Sequence, residues 1–119
     1  MAARYHLSAP IPDALGARAV DIVKRLRSGE LKPSQSDEVG DLICEMTDHT
    51  MRHYFARPAE AFKLGIASRG AIDLGIRSTV KTIRMAVKQV LPRLSPEQFA
   101  QVADYIDEAL AVSTARKPA

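Results

Sequence analysis

The longest periodic stretch in the chain, AIDLGIRSTVKTIRMAVKQVL from Ala71 to Leu91, constrains the fold more than any other feature. Ile76, Val80, Ile83, Val87, Val90 and Leu94 recur at alternating steps of four and three. That spacing gathers apolar side chains into one seam along an α-helix, which must then be covered by other helices. The sequence therefore predicts a central helix over 71–91 in an all-α bundle. Composition agrees: tryptophan is absent and there are only three Phe and three Tyr, a balance that favours packed helices of small and aliphatic residues.

Around this helix the chain divides into short periodic segments. Pro10 and Pro12 keep the first dozen residues irregular, because proline fixes its own φ and biases the residue before it away from helix. Leu15, Ala19, Ile22, Val23 and Leu26 then line one face of a helix over about 13–28, with Arg25 and Arg27 in its last turn and Gly29 just beyond, the usual chemistry of a helix C-terminus. Ser34 or Ser36 caps a second helix, whose first turn carries Asp37 and Glu38. Val39, Leu42, Ile43, Met46, Thr50 and His53 face inward along it. Arg57-Pro58 ends or bends this helix. Ala59 to Ser68 reads as a short helix with Phe62 and Ile66 inward, and a break at Ser68-Arg69-Gly70 precedes the central helix; whether 59–91 is one helix or two rests on that break. Ser95-Pro96-Glu97-Gln98 combines a capping serine, proline at the first helical position and glutamine three residues after the serine, the most specific local signal present. It opens a last helix that turns Phe99, Val102, Ala103, Ile106, Ala109 and Leu110 inward and frays after Val112. The expectation is one domain over 1–119, a compact bundle of four to five mainly antiparallel helices, with 1–12 and 113–119 flexible.

The single cysteine, Cys44, allows no internal disulfide and suits a reducing compartment. Cys44 falls away from the apolar stripe of its helix, with no neighbouring His or cation to activate it. No segment approaches the length of a membrane span, and MAARYHLSAPIPDALG lacks a signal-peptide core; a cytoplasmic protein is expected. The net charge of +3 is too small by itself to indicate a nucleic-acid or membrane partner. Its distribution is uneven. Arg57, Lys63, Arg69, Arg77, Lys81, Arg84, Lys88 and Arg93 stand against Glu60 and Asp73 in the basic middle, and acidic helices flank it on both sides. Complementary charge inside one bundle accounts for that pattern.

Three groups of residues are candidates for function. His49 and His53, four apart on one helix with Glu45 one turn earlier, have a spacing able to grip a transition metal or a haem iron, although Thr50 stands where a zincin motif has glutamate. The bland alternative pairs His49 with Glu45 and makes His53 a core histidine. Arg77, Lys81, Arg84 and Lys88 stack along one flank of the central helix. Opposite them Ala67, Ala71, Leu74, Ser78 and Met85 form a small or apolar flank suited to a second copy of the chain. Arg69 and Asp73, four apart, are placed to form a partly buried ion pair or to mark a helix break that turns them outward, and either reading is structural, not a site.

Ala71-Ile72-Asp73-Leu74-Gly75-Ile76-Arg77-Ser78-Thr79-Val80-Lys81 resembles the helix-turn-helix of bacterial regulators and sigma factors, with one residue fewer between Gly75 and Val80. The resemblance implies a DNA-binding segment over 67–91, with Arg77, Ser78, Thr79, Lys81 and Arg84 toward the major groove and Lys88 on the same flank. No nucleophile, phosphate loop or carboxylate pair has a recognisable spacing, so no enzyme and no cofactor are expected. The leading reading is a small regulatory or adaptor protein that works through protein–protein contact as a homodimer with an unidentified partner. DNA binding and metal or haem binding are the alternatives.

Overall fold

The computed structural model of the protein describes residues 9–115, with side chains through Leu110. It is all-α, with no strand among the described residues. Helix α1 spans Asp13–Arg27, α2 Asp37–Met51, α3 Arg57–Ala61, α4 Ile66–Val90 and α5 Pro96–Ala115. Short 3₁₀ turns at Pro33–Gln35 and Leu91–Arg93 and a π turn at Arg52–Ala56 join them. The expected flexibility of 1–8 and 116–119 lies outside the described residues. Within them α5 continues to Ala115, past the fraying point expected at Val112.

The caps follow the local chemistry read above. At the start of α5 the Gln98 side chain accepts from the Ser95 amide (3.0 Å) and the Ser95 hydroxyl accepts from the Gln98 amide (3.1 Å). This reciprocal capping box satisfies two amides that a bare helix start would leave unpaired. At the end of α1, Gly29 takes φ 80° while the Gly29 and Glu30 amides donate to the carbonyls of Leu26 and Arg25, a Schellman closure that glycine accommodates without a Cβ clash. Ser36 precedes α2 and is buried, but its side chain makes no capping hydrogen bond. Pro58 does not end the second helical run. The chain widens into the π turn immediately before it, which makes room for a ring that would clash with the Tyr54 carbonyl in a regular α-turn.

The core is built at one end of the molecule. Leu15, Ala19, Ile22, Val23 and Leu26 of α1 pack against Phe99, Ala103 and Ile106 of α5, and Val39 and Leu42 of α2 and Leu91 close the cluster. Charges reinforce the same contacts: Arg27 of α1 reaches Asp104 (3.1 Å) and Asp107 (3.2 Å) of α5, Arg18 reaches Glu45 of α2 (2.8 Å), and Arg25 bonds Glu38. Cys44, expected away from the apolar stripe, is buried, as suits a small apolar side chain without an activating neighbour.

Helix α4 is not at the centre. Its seam lies along α2, where Ile76 is 2 % exposed, but Val80, Ile83 and Val87 are half-buried and Val90 is exposed. An apolar seam requires cover on its own side only; α1 and α5 cover each other. The second half of α2, the π turn, α3 and most of α4 therefore form an arm that leaves the core, and the residues from Thr47 to Ala86 contribute nothing to the main apolar cluster. The chain is thus the compact all-α bundle expected, with α4 carried on an arm beside the core and not at its centre.

Candidate interaction surfaces

Two surfaces on the arm are built by the geometry of α4 and its entry turn. At α4's start the expected break is displaced. Ser68, Arg69 and Gly70 are helical, and the chain turns instead at Phe62–Gly65, where Lys63 adopts φ 55° and the Lys63 and Leu64 amides donate to the carbonyls of Glu60 and Ala59. With the turn placed there, Phe62 and Ile66 are not inward. They are 76 % and 83 % exposed, and every residue from Glu60 to Ala71 faces solvent. Phe55 and Leu64 add to this apolar tip.

The second surface is the side of α4 turned away from α2. At 3.6 residues per turn, Ala67, Ser68, Ala71, Leu74, Gly75, Ser78, Thr79, Thr82, Met85, Ala86 and Gln89 occupy about 140° of arc without a single charge. Leu74 and Met85 stand on it 60 % and 59 % exposed. The flank expected to suit a second copy is therefore open to solvent in the chain by itself.

The cationic flank is divided. The Arg77 guanidinium is bonded to Asp73 one turn before it (2.9 Å), and Arg84 is bonded to Asp41 of α2. Thr79 donates its hydroxyl to the Gly75 carbonyl (2.8 Å), while Ser78 is exposed. Only Lys81 and Lys88 of the six candidate DNA-contact residues are cations without a carboxylate partner among the described residues. The segment 67–91 lies almost wholly within one unbroken helix, α4, and the turn implied by the helix-turn-helix resemblance is absent from it. Gly75 is simply a helical residue whose exposed side meets no neighbour.

Asp73 does not pair with Arg69, which is exposed and holds no carboxylate among the described residues. Arg52 takes its place: its guanidinium donates to Asp48 of α2 (3.0 Å) and to Asp73 of α4 (2.8 Å) and ties the two helices of the arm together. These hydrogen bonds hold Asp73 below the ordinary carboxylate range, chiefly through Arg52 and then through the charge of Arg77. They raise Arg52 in turn. Beneath the clamp Arg52, Ala56, Ala59, Ile66, Arg69 and Asp73 line an open groove of about 360 Å³.

His49 and His53 are half-buried on the second helical run. Glu45 does not join His49, because its carboxylate is taken by Arg18. His53 stacks edge-on against Tyr54, with ring centroids 5.0 Å apart, and its Nδ1 accepts from Arg57 at 3.4 Å. No group of three or more His, Cys, Asp and Glu side chains among the described residues is placed to hold a metal ion, and no described helix is long and apolar enough to cross a membrane.

Comparison with protein-family models, with curated proteins and with solved structures found no match.

The apolar tip was missed by periodicity because Ala59, Phe62 and Ile66 fall at helical spacing and read as one inward face. A signal was present in Lys63-Leu64-Gly65, where a glycine stands immediately before a helical run and none of the preceding residues can cap it better.

Proposed function

We propose that the protein is a non-enzymatic adaptor of the cytoplasm that works as a homodimer, with α4 of one copy laid against α4 of the other. The observation that carries this reading is the uncharged outer face of α4. A helix that serves only as a solvated wall carries charge on its outer side; here 25 residues, about 37 Å of helix, present Leu74 and Met85 among Ala, Gly, Ser and Thr. Small side chains let two such helices approach closely, and the lack of charge removes the repulsion a two-fold contact would otherwise place at its axis. The mass in solution tests it. The wild type sediments near twice the 13.0 kDa of one chain, and Met85→Glu or Leu74→Glu returns it to the single-chain mass with helicity unchanged. A single-chain mass for the wild type throughout the micromolar range ends the proposal.

DNA contact stands second and rests on Lys81 and Lys88, which lack carboxylate partners. With Arg77 and Arg84 bonded to Asp73 and Asp41, Lys81 and Lys88 supply few phosphate contacts, so weak duplex binding with a shallow salt dependence, a log–log slope of about −2, is the most this reading allows.

A further inference from the structure

We propose that the tip of the arm docks on an anionic lipid surface. From Phe55 to Arg69 the chain turns through α3 and the start of α4, and within this one segment Phe55, Phe62, Leu64 and Ile66 are exposed, as are Arg57, Lys63 and Arg69; Ile66 and Arg69 line the same groove. Among the described arginines outside the tip, Arg18, Arg25, Arg27, Arg52, Arg77 and Arg84 are bonded to carboxylates of the chain itself, and Arg93 is the exception. Among the described residues Arg57, Lys63 and Arg69 hold none; Glu60 lies among them, and Asp73, which shares a groove with Arg69, is already bonded to Arg52 and Arg77. Bulky apolar side chains with cations around them are what an amphipathic element needs to lie in a headgroup layer: the rings and aliphatic groups enter the acyl boundary while the cations stay with the lipid phosphates.

Charge decides against the other occupant. A second copy seated on the tip by a two-fold axis would bring Arg57, Lys63 and Arg69 against themselves with Glu60 as the one unpaired acid nearby among the described residues, Asp73 being held by Arg52 and Arg77, and like charges facing across a contact oppose association. The outer face of α4 carries no such charge. The two surfaces therefore separate by chemistry, one suited to self-contact and the other to an anionic sheet. Lys63 is consistent with this: it keeps its charge at the apex of the turn in a left-handed conformation that glycine adopts more readily.

Flotation of the full chain with phosphatidylcholine vesicles, with and without phosphatidylglycerol, tests the proposal. The protein floats with the anionic vesicles at low salt, and much less with phosphatidylcholine alone or at high salt. Phe62→Ser together with Ile66→Ser abolishes flotation. Lys63→Gln together with Arg69→Gln lowers the partition coefficient about thirty-fold, at the usual contribution of a cation near an anionic bilayer; Lys81→Gln together with Lys88→Gln leaves it unchanged. All substituted residues are exposed, and circular dichroism checks that the helices persist. The proposal is overturned if the wild type does not float, if flotation survives both tip pairs, or if it is lost with Lys81 and Lys88. It is also overturned if the tip substitutions convert a dimer into a monomer, since a second copy would then cover the tip. The homodimer reading is judged separately, by the mass of the Met85 variant without lipid.

Discussion

Ile76 and Ile83 stand on the same seam of α4 and have different surroundings. Ile76 is closed over by the arm, whereas Ile83 is half-buried where α4 runs beside α2. Removing a fully enclosed side chain costs the lost transfer energy and leaves a cavity, so Ile76→Ala should destabilise by about 2 to 4 kcal/mol in urea denaturation, and Ile83→Ala by distinctly less. Equal losses would mean that the seam is enclosed at Ile83 as fully as at Ile76. Asp73 gives a pH signature. Its folded pKa is depressed by Arg52 and then by Arg77, so its contribution is present in full above the value of an unfolded aspartate and is lost as pH falls through the lower folded value. Thermal melts from pH 6 down toward pH 2 should therefore show a fall in Tm below about pH 4, and Asp73→Asn should flatten part of it. A variant with the same acid limb as the wild type would show that the clamp on α4 does not contribute.

At the scale of helices, each end and each glycine has its own consequence. Ser95→Ala removes one half of the capping box and should cost about 1 kcal/mol by chemical denaturation. Gly70 and Gly75 are helical, and a Cβ at either would meet nothing within 4 Å. Gly70→Ala and Gly75→Ala should then each stabilise the chain by about 0.4 to 1 kcal/mol; a loss at Gly75 would reveal a neighbour the monomer lacks, such as a second α4. Gly40 is different, because a Cβ there would lie 3.3 Å from Cγ1 of Val87 and 3.8 Å from Cδ1 of Leu91. These particulars show what was legible in the sequence. The span of α1, Gly29 as its stop and the Ser95 box are local chemistry and were readable. The break before α4 was not, since a glycine at position 70 can remain helical for about 1 kcal/mol when the turn is already made at Lys63. The small, uncharged flank of α4 was legible as a candidate contact, but the tip was not. Periodicity records which residues share a face and not whether anything lies opposite.

The whole molecule has two regions of unequal support. The apolar cluster joins α1, α5, the start of α2 and the end of α4, while the arm rests on Ile76, Ala59, Cys44 and the Arg52 clamp. Local opening follows the density of buried contacts. Amides in the middle of α1 and α5 should therefore exchange last, near the global unfolding free energy, and those of α3 and the first two turns of α4 should exchange orders of magnitude faster. Uniform protection along the chain would contradict this division. The one-sided cover of α4 has a further consequence. A helix that completes its burial only against another molecule binds its stability to mass action, since whatever associates with the folded state alone stabilises it in proportion to the logarithm of its concentration. Under the dimer proposal the partner is the chain itself, so a dilute sample holds a loosened arm and a concentrated one a firm arm. The protein would in this way report its own abundance, and the temperature at which the arm melts would rise with every tenfold increase in dose.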